Sequence, residues 1–206
     1  MEQREARWPA LLAALAIGGL YLALPASLTM GPPWLPLSLV TLLLIPLLVS
    51  HRKGHDRINQ ISAYVLLALT TLWMLYSLER LIVGMARHTE SPKSLLLSAG
   101  LLWISNILVF ASWYWRLDAG GPNARDRRES HEDGAFLFPQ MTMDGEHETW
   151  SPGFVDYLFL AFNTSTAFSP TDVPVLSPWA KILMMVQASI SLATLALLAA
   201  RAVNIL

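Results

Sequence analysis

The residues of this chain best suited to chemistry are oxygen donors gathered towards its C-terminal end: Thr164, Thr166, Ser169, Thr171 and Asp172, with Phe168 among them. Hydroxyls and one carboxylate on a short turn can line an aqueous path or bind a cation, but they form no nucleophile–base pair. The segment before the turn ends Asn163-Thr-Ser-Thr166, and a helix ending there adds the partial negative charge of its C-terminus, which favours cations. A second polar series follows on the next apolar run: Gln187, Ser191, Thr194 and Arg201, at steps of four, three and seven. On a helix these fall within about 80° of one another, as one stripe. The stripe has two readings, a pore-lining face in an oligomer or a seam of hydrogen bonds between helices. Arg201, six residues from the end counted inclusively, can snorkel.

Little else points to chemistry. The chain has no cysteine, which excludes disulfides and thiolate sites. His51 and His55 stand four apart beside Asp56, a spacing that holds a metal on a helix, but Gly54 and basic neighbours argue against it. His131 and His147 lie in an acidic, solvated stretch. No phosphate cradle or carboxylate pair is present, so no enzyme, cofactor or metal is expected. Asn106, beside Trp103 and Ser105, is expected to bond to a neighbouring helix, and both Glu79-Arg80 and the belt Trp113-Tyr-Trp-Arg116 to anchor at an interface.

The elements that must hold these residues are apolar helices. Hydrophobic residues make up 54% of 206, and only 14% are charged, against about 25% in soluble domains. A net charge of −1 gives no case for nucleic acid. The apolar residues form long runs: Pro9 to Met30, Trp34 to Ser50 with Pro46 inside, Asn59 to Met85, and Pro92 to Leu117. Residues 118–150 are polar, apart from the patch Phe136-Leu-Phe-Pro139, which is expected to dock on a helix end or the membrane surface. Ser151-Pro152 then opens a short helix to about Phe168, and Ser177-Pro178 opens a long one.

The expected fold is therefore an all-α polytopic membrane protein: four transmembrane helices, a short re-entrant or half-spanning helix, and a final transmembrane helix. Its parts are a four-helix portion (1–117), a polar cytoplasmic loop (118–150) and a helix–hairpin–helix (151–206). Lys and Arg divide nine to three between the two sides of such a bundle, which puts the N-terminus and the 118–150 loop in the cytoplasm. The expected setting is the cell membrane, the inner membrane of a bacterium, with the lipid bilayer, an inorganic ion and further copies of the chain as partners.

The run Asp156-Tyr-Leu-Phe-Leu-Ala-Phe-Asn-Thr-Ser-Thr-Ala-Phe-Ser-Pro-Thr-Asp172, followed by Pro174, Leu176-Ser-Pro178 and Ala180-Lys181, resembles the pore helix, filter and inner helix of tetrameric potassium channels. It is also similar to a bacterial family of integral membrane proteins, a domain of unknown function with a comparable aromatic helix and Ser-Asp hairpin. The channel resemblance covers about a quarter of the chain and implies an oligomeric pore. The potassium filter reads T-V-G-Y-G-D, and here Ser169 and Thr171 replace both glycines. A side chain costs roughly 1–2 kcal/mol in the left-handed backbone region that carbonyl rings exploit, and Pro170 removes an N–H. Potassium selectivity is therefore not expected. The expected function is a channel-like protein with a hydroxyl-rich pore loop; the alternatives are a non-conducting accessory membrane protein or, less favoured, a small-solute transporter.

Overall fold

A computed structural model describes residues 5–87, 91–127, 134–143, 150–166 and 173–203, with side chains to Ala200, and seven α-helices dominate them. They are α1 (Trp8–Leu20), α2 (Leu35–Arg52), α3 (Asp56–Arg87), α4 (Pro92–Leu117), the single turn α5 (Pro122–Arg125), α6 (Phe154–Thr166) and α7 (Pro178–Val203). Four of them, α2, α3, α4 and α7, are long and apolar enough to cross a membrane. The start signals at α4 and α7 act as the sequence suggests. Ser91 Oγ accepts from the Ser94 amide at 3.2 Å and Ser177 Oγ from the Ala180 amide at 3.4 Å, each with proline next in line.

Two expected boundaries move. The first apolar run is a 13-residue helix rather than one long one, continued by 3-10 turns at Tyr21–Ala23 and Ala26–Leu28. Pro25 is the cause: it disfavours helical angles at the residue before it, and Leu24 is extended at φ −79°, ψ 143°. The α6 helix begins at Phe154, not at Pro152. The Asp156 carboxylate reaches back to the Gly153 amide at 2.8 Å, which is half of a capping box and fixes the start there.

The helices pack as two linked groups around α4. On one side α1 packs against α2 and α4, Asn59 Nδ2 of α3 donates to the Leu47 carbonyl of α2 at 2.8 Å, and Trp113 Nε1 of α4 donates to Thr71 Oγ1 of α3 at 2.9 Å. On the other side α4 packs against α6 and α7. At one end of the bundle Arg7, Asp126, Asn123 and Asp56 meet; at the other, Arg80 Nε donates to the Ser27 carbonyl at 3.4 Å. The side of α7 away from α4 and α6 is apolar and open, with Ile182, Met185 and Leu192 60–71% exposed. That suits lipid or a neighbouring subunit.

The approach of α1 to α2 depends on one glycine. A Cβ on Gly18 would lie 2.9 Å from Leu37 Cα, whereas one on Gly19 meets nothing within 4 Å. Gly18→Val is expected to lose roughly 1–3 kcal/mol by overpacking. Unfolding in detergent micelles checks this, with Gly19→Val as the control that should lose clearly less.

Candidate functional site

The site begins with the direction of α6 against α7. Gln187 Nε2 donates to the Ala161 carbonyl at 2.7 Å, and Ser191 Oγ donates to the Ser165 carbonyl at 2.9 Å. Both pairs are separated by 26 residues, so the two helices run parallel in register. Against α4 the order reverses: Trp115 packs on Phe154 at 5.8 Å and Trp103 on Phe162 at 6.1 Å between ring centroids. The start of α7 therefore lies level with the start of α6, not with its end.

The residues that lead into α7 are fixed at that end. The Leu137 amide donates to the Pro174 carbonyl at 3.0 Å and the Leu176 amide to the Ala135 carbonyl at 2.8 Å, an isolated antiparallel bridge centred on Phe136 and Val175. Phe136 is 1% exposed and collects the edges of Tyr114, Tyr157 and Trp179 at 5.3, 6.2 and 6.1 Å. Phe138 packs on Tyr157 at 5.3 Å and on Trp150 at 5.7 Å. The apolar patch of the 118–150 stretch thus docks onto helix ends, as its composition suggests, and ties the starts of α6 and α7 to the end of α4.

A charged cluster lies beneath this patch, drawn from the polar 118–150 stretch and from the segment before α1. Arg125 is buried and ion-pairs with Glu5 at 3.0 Å, the side chains 0% and 5% exposed. It also donates to the carbonyls of Trp115 (2.8 Å) and Asp118 (2.9 Å) and lies over the Tyr157 ring at 5.1 Å. Asp118 is fully buried and accepts from the Ala135 amide at 2.5 Å and the Tyr157 hydroxyl at 2.6 Å. Burial pushes the Glu5 carboxyl above its ordinary value, opposed by the Arg125 charge and the hydrogen bond from Trp115. The turn that presents these groups is strained at Ala119 (φ 49°). It also needs Gly121 (φ +88°), where a Cβ would sit 2.7 Å from the Arg116 carbonyl. Arg116, expected as an interfacial anchor, is buried as well and donates to Asn59.

The polar stripe on α7 faces inward. Gln187, Ser191 and Thr194 are 0–1% exposed, so within one chain they form a seam and not an open lining. Gln187 is its hub. Its Oε1 accepts from the Tyr114 hydroxyl, and its Nε2 also donates to Ser165 Oγ at 2.7 Å. Its backbone carbonyl accepts from Asn106 Nδ2 at 3.3 Å, the contact to a neighbouring helix expected of that residue. The Thr194 hydroxyl turns back on its own helix, to Ile190 and Ser191. Of the hairpin donors, Thr164 and Thr166 are half-buried at the end of α6 and bond back to the carbonyls of Leu160 (2.8 Å) and Phe162 (3.1 Å). Phe168, Ser169, Thr171, Asp172 and the Arg201 side chain lie outside the described residues.

His51 Nδ1 accepts from Arg7 at 2.9 Å, and Asp56 pairs with Arg127. Among the described residues no group of three His, Asp or Glu side chains is placed to hold a metal. The buried Glu5–Arg125 and Asp118–Tyr157 pairs escaped the sequence reading because their members are 120 and 39 residues apart. The one local signal was Gly120-Gly121-Pro122, a tight turn joining two runs of opposite character. No family model matches the chain, and neither curated proteins nor solved structures include one that is detectably similar to it.

Proposed function

We propose that the chain is one subunit of a homo-oligomeric, channel-like membrane protein, in which α6 and the hairpin after it form a re-entrant element entered from the cytoplasmic side. The observation that carries this reading is the constant 26-residue offset between α6 and α7. The α6 helix is 13 residues long, about 20 Å, and ends level with Ser191, halfway along α7. Its polar end thus lies at mid-depth if α7 spans the bilayer. Non-helical backbone at that depth is tolerated only where protein covers it or where it lines a water-filled cavity. Val155, Phe159 and Phe162 leave one face of α6 exposed in a single chain, which is where neighbouring copies would close around the hairpin. The resemblance of residues 156–172 to a potassium-channel pore segment agrees with this use, and the lost filter glycines argue for a different ion selectivity.

A non-conducting accessory protein is the second reading, and the burial of Gln187, Ser191 and Thr194 favours it. Reconstitution decides between them. The channel reading expects an oligomer in mild detergent and ion flux from proteoliposomes; a monomer without flux at any voltage or pH sinks it. The re-entrant path has its own test in this naturally cysteine-free chain. Arg127→Cys and Thr171→Cys are both expected to react with an impermeant maleimide from the same face, and labelling from opposite faces overturns it.

A further inference from the structure

A narrow cleft of about 80 Å³ runs between α1, α2, α3 and α4 at the charged end of the bundle. Its walls are apolar, built from Leu11, Ala14, Leu44, Leu47, Ala63 and Leu66. The lining on α1 extends from Arg7 to Ala14 and that on α2 from His51 to Leu44. Seven residues of helix make the cleft about 10 Å deep, less than the ~15 Å thickness of one leaflet's hydrocarbon. Leu48, on its wall, is 40% exposed, so the cleft opens sideways as well as at its mouth. The polar groups of the wall are already occupied: Ser112 Oγ donates to the Leu108 carbonyl at 2.7 Å and Asn59 is bonded to Leu47 and Arg116.

The mouth is cationic. Arg7 and His51 are shared with a polar vestibule of about 430 Å³, lined also by Asp56, Asp126 and Arg127. The charges there cancel in pairs, Arg7 with Asp126 and Arg127 with Asp56. Arg116 is left over. It is 5% exposed, its Nη2 donates to the neutral carbonyl and Oδ1 of Asn59 at 2.9 and 2.5 Å, and no carboxylate among the described residues forms an ion pair with it. A permanent cation beside an apolar groove at the charged end of the bundle complements an anionic amphiphile, and basic pockets between membrane helices bind acidic headgroups.

We infer that this cleft is a binding site for an anionic phospholipid, one acyl chain lying against Ala63 and Leu44 and the phosphate reaching Arg116 beside Arg7. The site uses different residues from the re-entrant element and stands or falls independently of it.

Native mass spectrometry of the detergent-purified chain tests this with phosphatidylglycerol and phosphatidylcholine of equal chain length. One phosphatidylglycerol is expected to be retained at least ~10-fold more tightly, the range for a hydrogen bond to a charged group. Arg116→Gln, which keeps an amide donor for Asn59, should bring the two lipids together. Leu48→Trp, at a half-open wall where folding is not at stake, should weaken both by blocking the groove. Equal retention of the two lipids by the natural chain overturns the headgroup assignment, and so does displacement by inorganic phosphate alone. Unchanged retention in Leu48→Trp overturns the groove, and decanoate binding as tightly as the phospholipid overturns the assignment to a two-chain lipid.

Discussion

Arg125→Met is expected to destabilise the fold by about 3–5 kcal/mol, the range for breaking one partner out of a buried ion pair. The pair it breaks is fully enclosed, with Arg125 at 0% and Glu5 at 5% side-chain exposure. The loss reaches further than Glu5, because the same guanidinium satisfies the Trp115 and Asp118 carbonyls at the end of α4 and covers Tyr157 in the first turns of α6. The uncompensated carboxylate is the largest part, and a second substitution isolates it. Adding Glu5→Gln to Arg125→Met should recover part of the deficit, since an amide is less costly to bury than an unpaired charge. Full additivity of the two changes, measured by unfolding in detergent, would mean that the pair contributes nothing as a pair.

The pH dependence of that variant follows from Glu5. Burial raises its carboxyl above the ordinary 4.5, and Arg125 is the chief influence pulling it back. Without Arg125 the rise is larger. A group whose value is raised in the folded state favours folding fully below its unfolded value and loses that contribution as pH climbs through the folded one. Arg125→Met should therefore be least impaired in acid and most impaired at neutral pH. A deficit that grows towards acid would contradict the assignment of Glu5 as the uncompensated partner.

The apolar runs of the sequence marked out every long helix, because length and hydropathy act locally. The Ser-Pro signals at 91 and 177 set their starts for the same reason. The shortened α1 was legible too, in Pro25, but a window of uncharged residues hides a single proline. The charged cluster was not legible. Arg116, Asp118 and Arg125 read as an anchor and a loop because their partners, Asn59, Tyr157 and Glu5, come from other elements. The stripe on α7 was visible as a stripe, since helical period alone defines it. Which way it faces depends on Ala161, Ser165 and Tyr114, and periodicity in α7 contains nothing about them.

Gln187→Leu is the substitution that most directly separates a seam from a lining. Leucine keeps the volume and removes three side-chain bonds, to Tyr114, Ala161 and Ser165. Hydrogen bonds between membrane helices average about 0.6 kcal/mol and reach about 1.7, so the expected loss is roughly 2–4 kcal/mol once the stranded Tyr114 and Ser165 hydroxyls are included. The α6 helix is held to α7 mainly through this side chain and Ser191, so amides of residues 154–166 should exchange with solvent sooner than those of α3 and α4. Ser191→Ala, which removes one bond, should do the same more weakly. A water-facing Gln187 would behave differently, because leucine there would alter flux while leaving α6 exchange and stability unchanged. The geometry favours the first outcome: a side chain with no exposure and its amide fully engaged has no face left to offer a passing ion. Under the proposed channel reading, a path for ions would run along the outer face of α6, where Val155, Phe159 and Phe162 are exposed.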